Sequence, residues 1–530
     1  MLNVHRISLE KTEHFSKRFL DYVNQNEKLR SLYRYAPSID SFEKAIKNIS
    51  SQKFNRTLLV DVITEQYSKA NCQLPTANCQ LLLQEDTFTV CTGHQLCLFT
   101  GPLYFIYKII STITLAEQLK KKYPESDFVP VYWMASEDHD FEEVNHIHLF
   151  GKKLEWKNKQ GGALGNYSTD GIGELIDELE AILGDSKQAR ELIELFQNAY
   201  TKHSDFSSAT RFLVNELFGE YGLVIIEPND TKLKQEFVSV IEEDVFSNSS
   251  FHLVEKSNNQ LEKNGYKLQV NPREINIFYL SDNQRNRIVK ENDKFNVVET
   301  RKSFSENELK EEIKSHPERF SPNVVTRPLY QQKILPNLAY VGGAAEISYW
   351  LQYKEMFDHY KIFFPVLVPR NFRMIMDETV SEKLMKIGLA SEDVFLSINE
   401  MTEKYSTSVS GEKISFNAEK EQLKKLHKKI SEKVSLIDAS LVSSAEAELQ
   451  KHLNALDALE KKMLRAFKQK NETAVSKIEK IKQKLFPNGE LQERHDTFIP
   501  FYLKHGKNFI EDLKRDIDPF DFRFIILSEK

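Results

Sequence analysis

The sequence is short of cysteine and of long apolar runs, and each shortage excludes a class of protein. Its 530 residues include only four cysteines, too few for a disulfide framework in a chain of this length. No apolar run approaches the roughly 18 residues that a membrane-spanning helix needs, and the N-terminus lacks the apolar core of a secretory signal. We therefore expect a cytoplasmic protein with reduced thiols and no membrane partner.

The chain also lacks a surplus of positive charge. The chain carries 72 Lys and Arg residues against 78 Asp and Glu residues, which gives a formal net charge of -6. Nucleic-acid-binding proteins usually carry a basic surplus, so we expect no nucleic-acid partner. What the sequence does contain is 40% hydrophobic residues, enough for the cores of about two to four domains at this length.

Short apolar segments alternate with helical patterns through the first two thirds of the chain. Four of these segments read as buried strands, near 88–92, 128–136, 221–230 and 361–370, and the C-terminal FRFIILS reads as another. Alternating strands and helices predict an α/β fold with a parallel sheet covered on both faces.

The predicted organisation is a core built from segments that lie far apart in the sequence. We assign 1–85 to a mostly helical N-terminal region leading into the core, 86–150 to the first part of the core, 151–215 to a first insertion, 216–230 to a core strand, 231–325 to a second insertion, 326–380 to the second part of the core, 381–487 to a helical coiled coil and 488–530 to a C-terminal segment that returns to the core.

The end of the coiled-coil region shows apolar residues at three-four spacing. A single seam is expected through Leu464, Phe467, Asn471, Ala474, Ile478, Ile481 and Leu485, with Asn471 fixing its register. The tract 461–484 is also rich in Lys and Arg, which fits either a solvated helical face or a site for a phosphate-bearing ligand. The scarcity of aromatic residues there favours the solvated face.

The segment TVCTGHQLCLFTGPLYFIYK (89–108) is the first cluster of candidate functional residues. Gly93, His94 and Gln95 follow a short strand, and a turn then leads into a helix. The free N–H groups at the start of that helix predict an anion site, and the histidine could donate a hydrogen bond or move a proton. The alternative is a tight turn with a structural histidine. The candidate residues of the helix start are Thr100, Gly101, Tyr104 and Lys108, whereas Cys91 and Cys97 are predicted to be core residues.

A second cluster, Ser136, Glu137, Asp138, His139 and Asp140, directly follows the strand near 128–136. Ligands of open parallel sheets bind beyond the carboxyl ends of the strands, which is where this cluster falls. Its side chains could orient a histidine for proton transfer, bind an amine or hold a hard metal ion. A zinc site that adds His146 and His148 has no recognised zinc motif to support it, and we expect no metal.

A third cluster lies in RPLYQQKILPNLAYVGGAAEISYW (327–350) and in VPRNF (368–372). Arginine offers bidentate geometry to carboxylates and phosphates, and a glycine pair lets backbone approach a ligand, although it equally suits helix-on-strand packing. The candidates are Arg327, Tyr340, Gly342, Gly343, Glu346 and Arg370. Clusters after several strands are expected to converge on one edge of the sheet.

Four motifs together carry a resemblance to a known family: TGHQLCLFTGPLYFIYK, VYWMASEDHDFEEVNHI, RPLYQQKILPNLAYVGGAAEISYW and PVLVPRNF. They resemble the bacillithiol biosynthesis cysteine-adding enzymes, over essentially the whole chain. The resemblance implies the last step of bacillithiol synthesis, in which a ligase joins L-cysteine to glucosaminyl-malate by an amide bond. It also implies a Rossmann-like core similar to class I aminoacyl-tRNA synthetases and nucleotidyltransferases, two connecting-peptide insertions and a coiled coil that forms a homodimer.

The resemblance leaves the energy source open: no cofactor is certain, and ATP or another nucleotide is the candidate activating cosubstrate. We expect His94, Lys108 and the helix start to bind the activating phosphate, and Asp138, His139 and Asp140 to hold an amine. Arg327 or Arg370 would then bind the malate carboxylates. Two alternatives stay open from the residues alone, a metal-dependent hydrolase built on Glu137 to Asp140, and a coiled-coil scaffold or nucleic-acid-binding module.

Overall fold

A computed structural model describes residues 3–281, 283–411 and 414–529. Its strands are β1 (Asn3–Ile7), β2 (Thr87–His94), β3 (Asp127–Met134), β4 (His146–Leu149), β5 (Lys152–Glu155), β6 (Val224–Ile226), β7 (Ile277–Ser281), β8 (Gln284–Glu291), β9 (Lys294–Val297), β10 (Ser303–Phe304), β11 (Phe320–Pro322), β12 (Asn337–Gly342), β13 (Val366–Pro369), β14 (Arg373–Met376) and β15 (Phe524–Ser528).

Helices outnumber strands. They are α1 (Lys17–Val23), α2 (Ser41–Ile49), α3 (Arg56–Lys69), α4 (Thr76–Leu81), α5 (Leu103–Lys122), α6 (Phe141–Val144), α7 (Ile172–Leu183), α8 (Lys187–Thr201), α9 (Phe206–Phe218), α10 (Thr231–Gln235), α11 (Val238–Ser247), α12 (Ser249–Lys263), α13 (Glu306–Ser315), α14 (Arg327–Ile334), α15 (Ala344–Trp350), α16 (Lys354–Tyr360), α17 (Glu378–Lys386), α18 (Ile398–Ser410), α19 (Asn417–Ser435), α20 (Val442–Lys470), α21 (Glu472–Leu485), α22 (Ile499–His505) and α23 (Asn508–Arg515). Among the described residues, no helix is long and apolar enough to cross a membrane.

A parallel sheet of five strands, in the order β13-β12-β2-β3-β6, forms the centre of the fold. Every residue of β2 is buried, including its three threonines and His94, as expected for a central strand of a parallel sheet that is covered on both faces. Helix α5 follows β2 and packs against both β2 and β3, and most of its residues are buried. The predicted α/β fold with a parallel sheet is confirmed.

A second sheet joins the two ends of the described chain. Strand β15 pairs antiparallel with β1 and parallel with β14 in a three-stranded sheet. The C-terminal apolar segment is therefore a strand, as its composition predicts, but it lies in this small sheet and not in the parallel one.

The long stretches between core strands fold into additional units. The first contains the β4–β5 hairpin and helices α7 to α9, which end where β6 returns to the parallel sheet. The second contains helices α10 to α13 and an antiparallel sheet in the order β10-β9-β8-β7-β11. Both stretches leave the parallel sheet at its carboxyl edge, after β3 and after β6.

The coiled coil is a hairpin of α19 and α20, and it lies earlier in the chain than the predicted seam. Lys420 on α19 forms ion pairs with Asp457 (2.5 Å) and Glu460 (2.6 Å) on α20. Further along α19, Nε2 of His427 lies 3.2 Å from Nδ1 of His452 on α20. These pairings run in opposite directions along the two helices, so the hairpin is antiparallel.

The prediction of one seam from Leu464 to Leu485 is wrong. Asn471 separates α20 from α21, and its side chain donates to the Phe467 carbonyl at 3.0 Å, so it terminates a helix instead of fixing a coiled-coil register. Ile478, with Ile481 and Leu485, is buried where α21 packs against α17 and α18. Their apolar spacing reflects packing on the main body of the protein.

Candidate functional site

His94 ends β2 at the carboxyl edge of the parallel sheet. It pairs in register with Met134 at the end of β3, and its ring stacks on Tyr104 with the centroids 5.1 Å apart. The side chain is 7% exposed, and its Nε2 has no hydrogen-bond partner among the described residues. Burial, together with the charges of Lys108 and Arg370, holds the pKa of His94 well below its usual range. A neutral imidazole with one free nitrogen therefore lies at this edge.

Lys108 on α5 is committed to partners inside the protein. Its Nζ lies 2.6 Å from Glu346 Oε2 and donates to the Gly93 carbonyl at 2.7 Å. Glu346 also accepts from the Tyr340 hydroxyl at 2.6 Å and from the Gly343 N–H at 2.8 Å. A carboxylate thus already neutralises the charge of Lys108, and phosphate binding by this lysine stays a prediction.

The start of α5 is also occupied. The Leu103 N–H donates to the Asp496 carbonyl at 2.8 Å, and Pro102 forms an antiparallel bridge with Thr497. Pro102 directly precedes the helix in an extended conformation. The segment 496–497 thus covers part of the helix terminus at which the sequence predicts an anion site.

Before that helix the loop is held in an unusual backbone conformation. Phe99 and Thr100 have positive φ angles of 49° and 72°, as does Gly101 at 65°. A Cβ atom on Gly101 would lie 2.6 Å from Cys97 Cβ, so glycine is required there on two grounds. The predicted glycine turn thus has a steric role that fixes the approach to α5.

Gln95 connects the first and second clusters. Its Nε2 donates to Asp138 Oδ2 and to Glu143 Oε2, both at 2.8 Å. Burial would raise the pKa of Asp138, but hydrogen bonds from His139 and Gln95 and the charge of Arg285 hold it below its usual range. Asp138 is therefore an ionised carboxylate facing the strand-end loop, as the predicted convergence at this edge requires.

The other members of the second cluster divide into buried and exposed residues. Ser136 donates to Glu227, and Glu137 forms an ion pair with the fully buried Lys234 at 2.5 Å. These contacts tie the loop after β3 to β6 and α10 and leave Glu137 without a free charge. His139 and Asp140 are exposed, and the imidazole Nδ1 of His139 lies 3.2 Å from Arg285 Nη1, which donates to it.

Arg327 begins α14 and faces the end of β2. Its Nη1 donates to Gln331 Oε1 at 3.0 Å and its Nη2 to the Tyr349 hydroxyl at 3.3 Å, which are both neutral groups. A Cβ atom built on Gly93 would approach Arg327 Nη1 and the Tyr340 hydroxyl at 3.4 Å. Glycine at that position keeps the space beside the guanidinium open.

Arg370 follows β13 and forms a buried pair with Glu493. The two guanidinium nitrogens lie 2.9 and 2.6 Å from the carboxylate oxygens, and the side chains are 3% and 1% exposed. Glu493 also accepts from the Arg373 N–H at 3.0 Å. A carboxylate of the protein itself thus occupies the Arg370 guanidinium, and of the two predicted alternatives only Arg327 has neutral hydrogen-bond partners.

A cleft of about 520 Å³ opens next to the strand ends. Its lining includes Gln95, Tyr104, His146, Arg494 and His495. The C-terminal residues of this lining were not predicted, because nothing in the local pattern of QERHD (492–496) indicates which side of the fold this segment reaches. Lys234 and Arg285, in the second insertion, were missed for the same reason.

The cysteines behave as packing residues, as predicted for Cys91 and Cys97. Both are buried, and burial raises the pKa of Cys97 to about 12. Burial also raises the pKa of Cys79 to about 11. A thiol with a raised pKa is a poor nucleophile at neutral pH.

The metal-dependent alternative finds little support in the side-chain arrangement. Among the described residues, no three His, Cys, Asp or Glu side chains group in a way that could hold a metal ion. Glu137 is neutralised by Lys234, and His146 and His148 stand on β4 with His148 stacked on His495, their centroids 4.1 Å apart. The acidic-histidine run thus does not assemble as one ligand set.

The fold and this strand-end site define a Rossmann-like α/β protein with an attached coiled-coil domain. Family profiles agree: "Bacillithiol biosynthesis BshC, N-terminal Rossmann-like domain" matches residues 2–371, and the "C-terminal coiled-coil domain" of the same family matches residues 373–529. The chain belongs to the BshC family of bacillithiol biosynthesis. The resemblance stated from the four motifs is confirmed.

Relatives from several bacteria match over nearly the full length. A protein of Flavobacterium johnsoniae is 41% identical over 98% of this chain and 99% of its own length, and one of Christiangramia forsetii is 40% identical over 98% of each. A more distant relative from Bacillus cytotoxicus is 27% identical over 93% of this chain and 94% of its own. All three are named "Putative cysteine ligase BshC". Neither alternative function is favoured by these comparisons.

Proposed function

We propose that this protein is a cysteine ligase that joins L-cysteine to glucosaminyl-malate through an amide bond, the last step of bacillithiol synthesis. The observation that carries the proposal is the family match over both domains, together with relatives named as cysteine ligases at about 40% identity across the chain. The convergence of His94, Gln95 and Asp138 at the carboxyl edge of the sheet supports a small-molecule site there.

Amide formation sets requirements that these side chains can meet. The carboxylate of cysteine must be activated, and the oxyanion that develops during attack by the amine must be stabilised. The free Nε2 of a neutral His94 can donate one hydrogen bond to such an oxygen or carry one proton. The ionised Asp138 suits an ammonium group, so we assign it to the amine of one substrate.

Activation by ATP or another nucleotide is part of the proposal, with the nucleotide as a cosubstrate. The cationic groups first assigned to its phosphates are engaged elsewhere, Lys108 with Glu346 and Arg370 with Glu493. We therefore assign no residue to the phosphates and derive no step through them. The chemistry of the nucleotide products, AMP or ADP, distinguishes an adenylate from an acyl-phosphate.

The test incubates the purified full-length chain with L-cysteine, glucosaminyl-malate and ATP. Mass spectrometry follows the thiol product and the released nucleotide, and omission of each substrate in turn provides the controls. We expect a product whose mass equals that of the two substrates less one water. Absence of this product under conditions where the substrates and protein stay intact would refute the ligase proposal.

We also propose a homodimer formed through the α19–α20 hairpin. Several large apolar side chains on this hairpin are exposed, namely Leu426, Ile430, Leu436, Ile437, Leu441, Leu459 and Met463. Light scattering should give a mass near twice the 61.8 kDa of one chain. The double substitution Ile430→Glu and Leu459→Glu should reduce the mass to that of one chain, while Met385→Glu, at an exposed apolar residue outside the hairpin, should leave it unchanged.

A further inference from the structure

Arg18, on α1, is a buried cation that lacks an anionic partner. The residue is 4% exposed, and neither Nε nor Nη1 has a hydrogen-bond partner among the described residues. The remaining nitrogen, Nη2, lies 3.5 Å from the Gln269 side-chain oxygen, at the outer limit of a hydrogen bond. Within the described parts of the chain, no carboxylate comes within ion-pair distance of this guanidinium.

Such an arrangement is expensive in free energy, because a buried charge loses its hydration. Burial lowers the pKa of Arg18 to about 10, which still leaves the side chain protonated at neutral pH. The helix that carries it is well formed, with the Ser16 hydroxyl accepting from the Phe19 N–H at 3.3 Å. The unpaired guanidinium therefore belongs to a residue of a regular helix. A bound anion would offset the free-energy cost of burying its charge.

Arg327 supplies a second guanidinium in the same region. Its hydrogen bonds go to the neutral side chains of Gln331 and Tyr349. Tyr349 and Tyr353 lie with ring centroids 5.7 Å apart, and burial raises the pKa of Tyr353, while the charges of both Arg327 and Arg18 act on it in the opposite sense. Helix α1 packs against α15, which carries Tyr349. Among the described residues neither arginine has a carboxylate within ion-pair distance, although the charge of Glu346 acts on Arg327, and both arginines lie near one pair of tyrosines.

Three buried cations at the strand ends differ from this pair, whereas Arg373, which is 1% exposed, resembles Arg18 because its Nε and Nη2 have no hydrogen-bond partner among the described residues. Lys108, Lys234 and Arg370 each have a carboxylate oxygen within 2.6 Å. Protein carboxylates neutralise those charges, and so they cannot serve as anion receptors without breaking a buried pair. Only a group from outside the described chain remains to neutralise Arg18.

We propose that Arg18 and Arg327 together bind the two carboxylates of the malyl group of glucosaminyl-malate. The inference rests on the proposed ligase function for the identity of the ligand. A guanidinium presents two parallel N–H groups to a carboxylate, and a dicarboxylate needs two such partners. The sequence predicts Arg327 or Arg370 as the carboxylate-binding residue. Here Arg327 is kept and Arg18, from the predicted helical N-terminal region, is added in place of Arg370.

The experiment measures ligand binding separately from catalysis. Calorimetry and thermal shifts of the full-length protein are recorded with L-malate and with glucosaminyl-malate, and in parallel with inorganic phosphate and with ATP. Arg18→Met keeps the length and apolar volume of the side chain but removes the charge. We expect it to weaken binding of glucosaminyl-malate at least tenfold, to abolish the malate-induced thermal shift and to raise the melting temperature of the ligand-free protein.

Matched variants keep the result interpretable. Arg190→Met, at an exposed arginine that pairs with Asp185, should leave both binding and activity unchanged. Arg327→Lys should weaken binding of the same ligand, because lysine cannot form the bidentate contact. In steady-state assays Arg18→Met should raise KM for glucosaminyl-malate while KM for cysteine stays constant.

Each failure has its own signature. Malate binding that depends on Arg18, in a protein that forms no amide product, would refute the ligase function and leave the dicarboxylate site standing. Product formation with unchanged malate affinity and a lower melting temperature in Arg18→Met would overturn the inference and make Arg18 a structural residue. A phosphate-induced or ATP-induced shift that Arg18→Met removes, without any malate effect, would overturn the carboxylate assignment.

Discussion

Two groups of buried cations in this protein differ in what neutralises them. At the strand ends, Lys108, Lys234 and Arg370 each face a carboxylate within 2.6 Å, supplied by an element distant in sequence. In the region between α1 and α15, Arg18 has no carboxylate among the described residues, and Arg327 donates only to neutral groups. The ion pairs of the first group connect segments that are distant in sequence. The guanidinium groups of Arg18 and Arg327 have no such pair and can still bind an anionic ligand.

The difference teaches that a charged residue in a functional motif is not by itself a functional charge. Arg370 and Lys108 stand in the motifs that carry the family resemblance, yet their pairs with Glu493 and Glu346 are internal. Breaking a buried pair leaves an uncompensated charge, whereas removing an unpaired cation relieves one. Stability measurements therefore separate the two groups.

The largest effect is expected from Glu493→Gln. The substitution leaves the Arg370 charge without a carboxylate in a site where both side chains are at most 3% exposed. Because an unpaired buried charge is costly, the free energy of unfolding should fall by about 3–5 kcal/mol. Urea denaturation measures the change, with Glu65→Gln as the control because that glutamate pairs with Lys232 on the surface. Equal small losses in both variants would contradict the distinction, and Arg370→Met combined with Glu493→Met should recover much of the loss.

The next effect concerns His94, which lies beside the paired cations. Replacing it with glutamine keeps a hydrogen-bond donor but removes proton transfer, so kcat for ligation should fall by roughly 10²-fold or more. His252→Gln, at an exposed histidine on α12, is the matched control. A His94→Gln protein with a normal kcat would leave His94 as a structural residue of the strand end.

A smaller effect is expected on the pH dependence of stability. The folded protein keeps His94 neutral, because burial and the charges of Lys108 and Arg370 lower its pKa, whereas the unfolded chain binds a proton below about pH 6.5. Protons therefore favour the unfolded state, and stability that is complete above pH 6.5 falls as the pH decreases. This one group contributes a slope of up to about 1.4 kcal/mol per pH unit.

His94→Gln should flatten that slope, which denaturation curves at pH 5.5, 6.5 and 7.5 would detect. A variant with the same pH dependence as the parent chain would show that folding does not lower the pKa of His94. The comparison between the two proteins cancels the contributions of the other histidines.

The smallest effect is expected at an exposed pair. Arg190 lies 2.6 Å from Asp185, but both side chains are mostly exposed, so Arg190→Gln should change the free energy of unfolding by less than about 0.5 kcal/mol. A loss comparable to that of Glu493→Gln would show that burial does not decide the strength of these pairs.

The local sequence pattern predicted secondary structure well where burial alone determines which residue types are tolerated. The strand β2 is buried along its whole length and is rich in β-branched and apolar residues, and α5 shows the continuous apolar spacing of a helix packed on a sheet. The seam from Leu464 to Leu485 was misread, because packing against the main body produces the same three-four spacing as a coiled coil. The spacing of apolar residues shows which face of a helix is buried. It does not show which part of the protein packs against that face.

For the candidate site, the sequence pattern correctly predicted polar residues at the strand ends. It did not predict which residues those side chains would contact. The contact of Gln95 with Asp138 follows from the adjacency of β2 and β3 in a parallel sheet. Glu493 lies 123 positions after Arg370 and Lys234 lies 97 after Glu137, separations at which no spacing rule applies. Nothing in the sequence indicated that Arg18 is buried, because a single arginine in a helix is usually exposed to solvent.

By itself the sequence determined the α/β class, the strand-end clusters and, through its motifs, the family to which the chain belongs. These depend on residue type and short spacing, which are set before folding. Tertiary structure alone decided which charges are neutralised, because burial and the approach of distant carboxylates fix the cost of each charge. Arg370 and Arg18 are identical in chemistry, but Glu493 pairs with the first, whereas no carboxylate of the described residues pairs with the second.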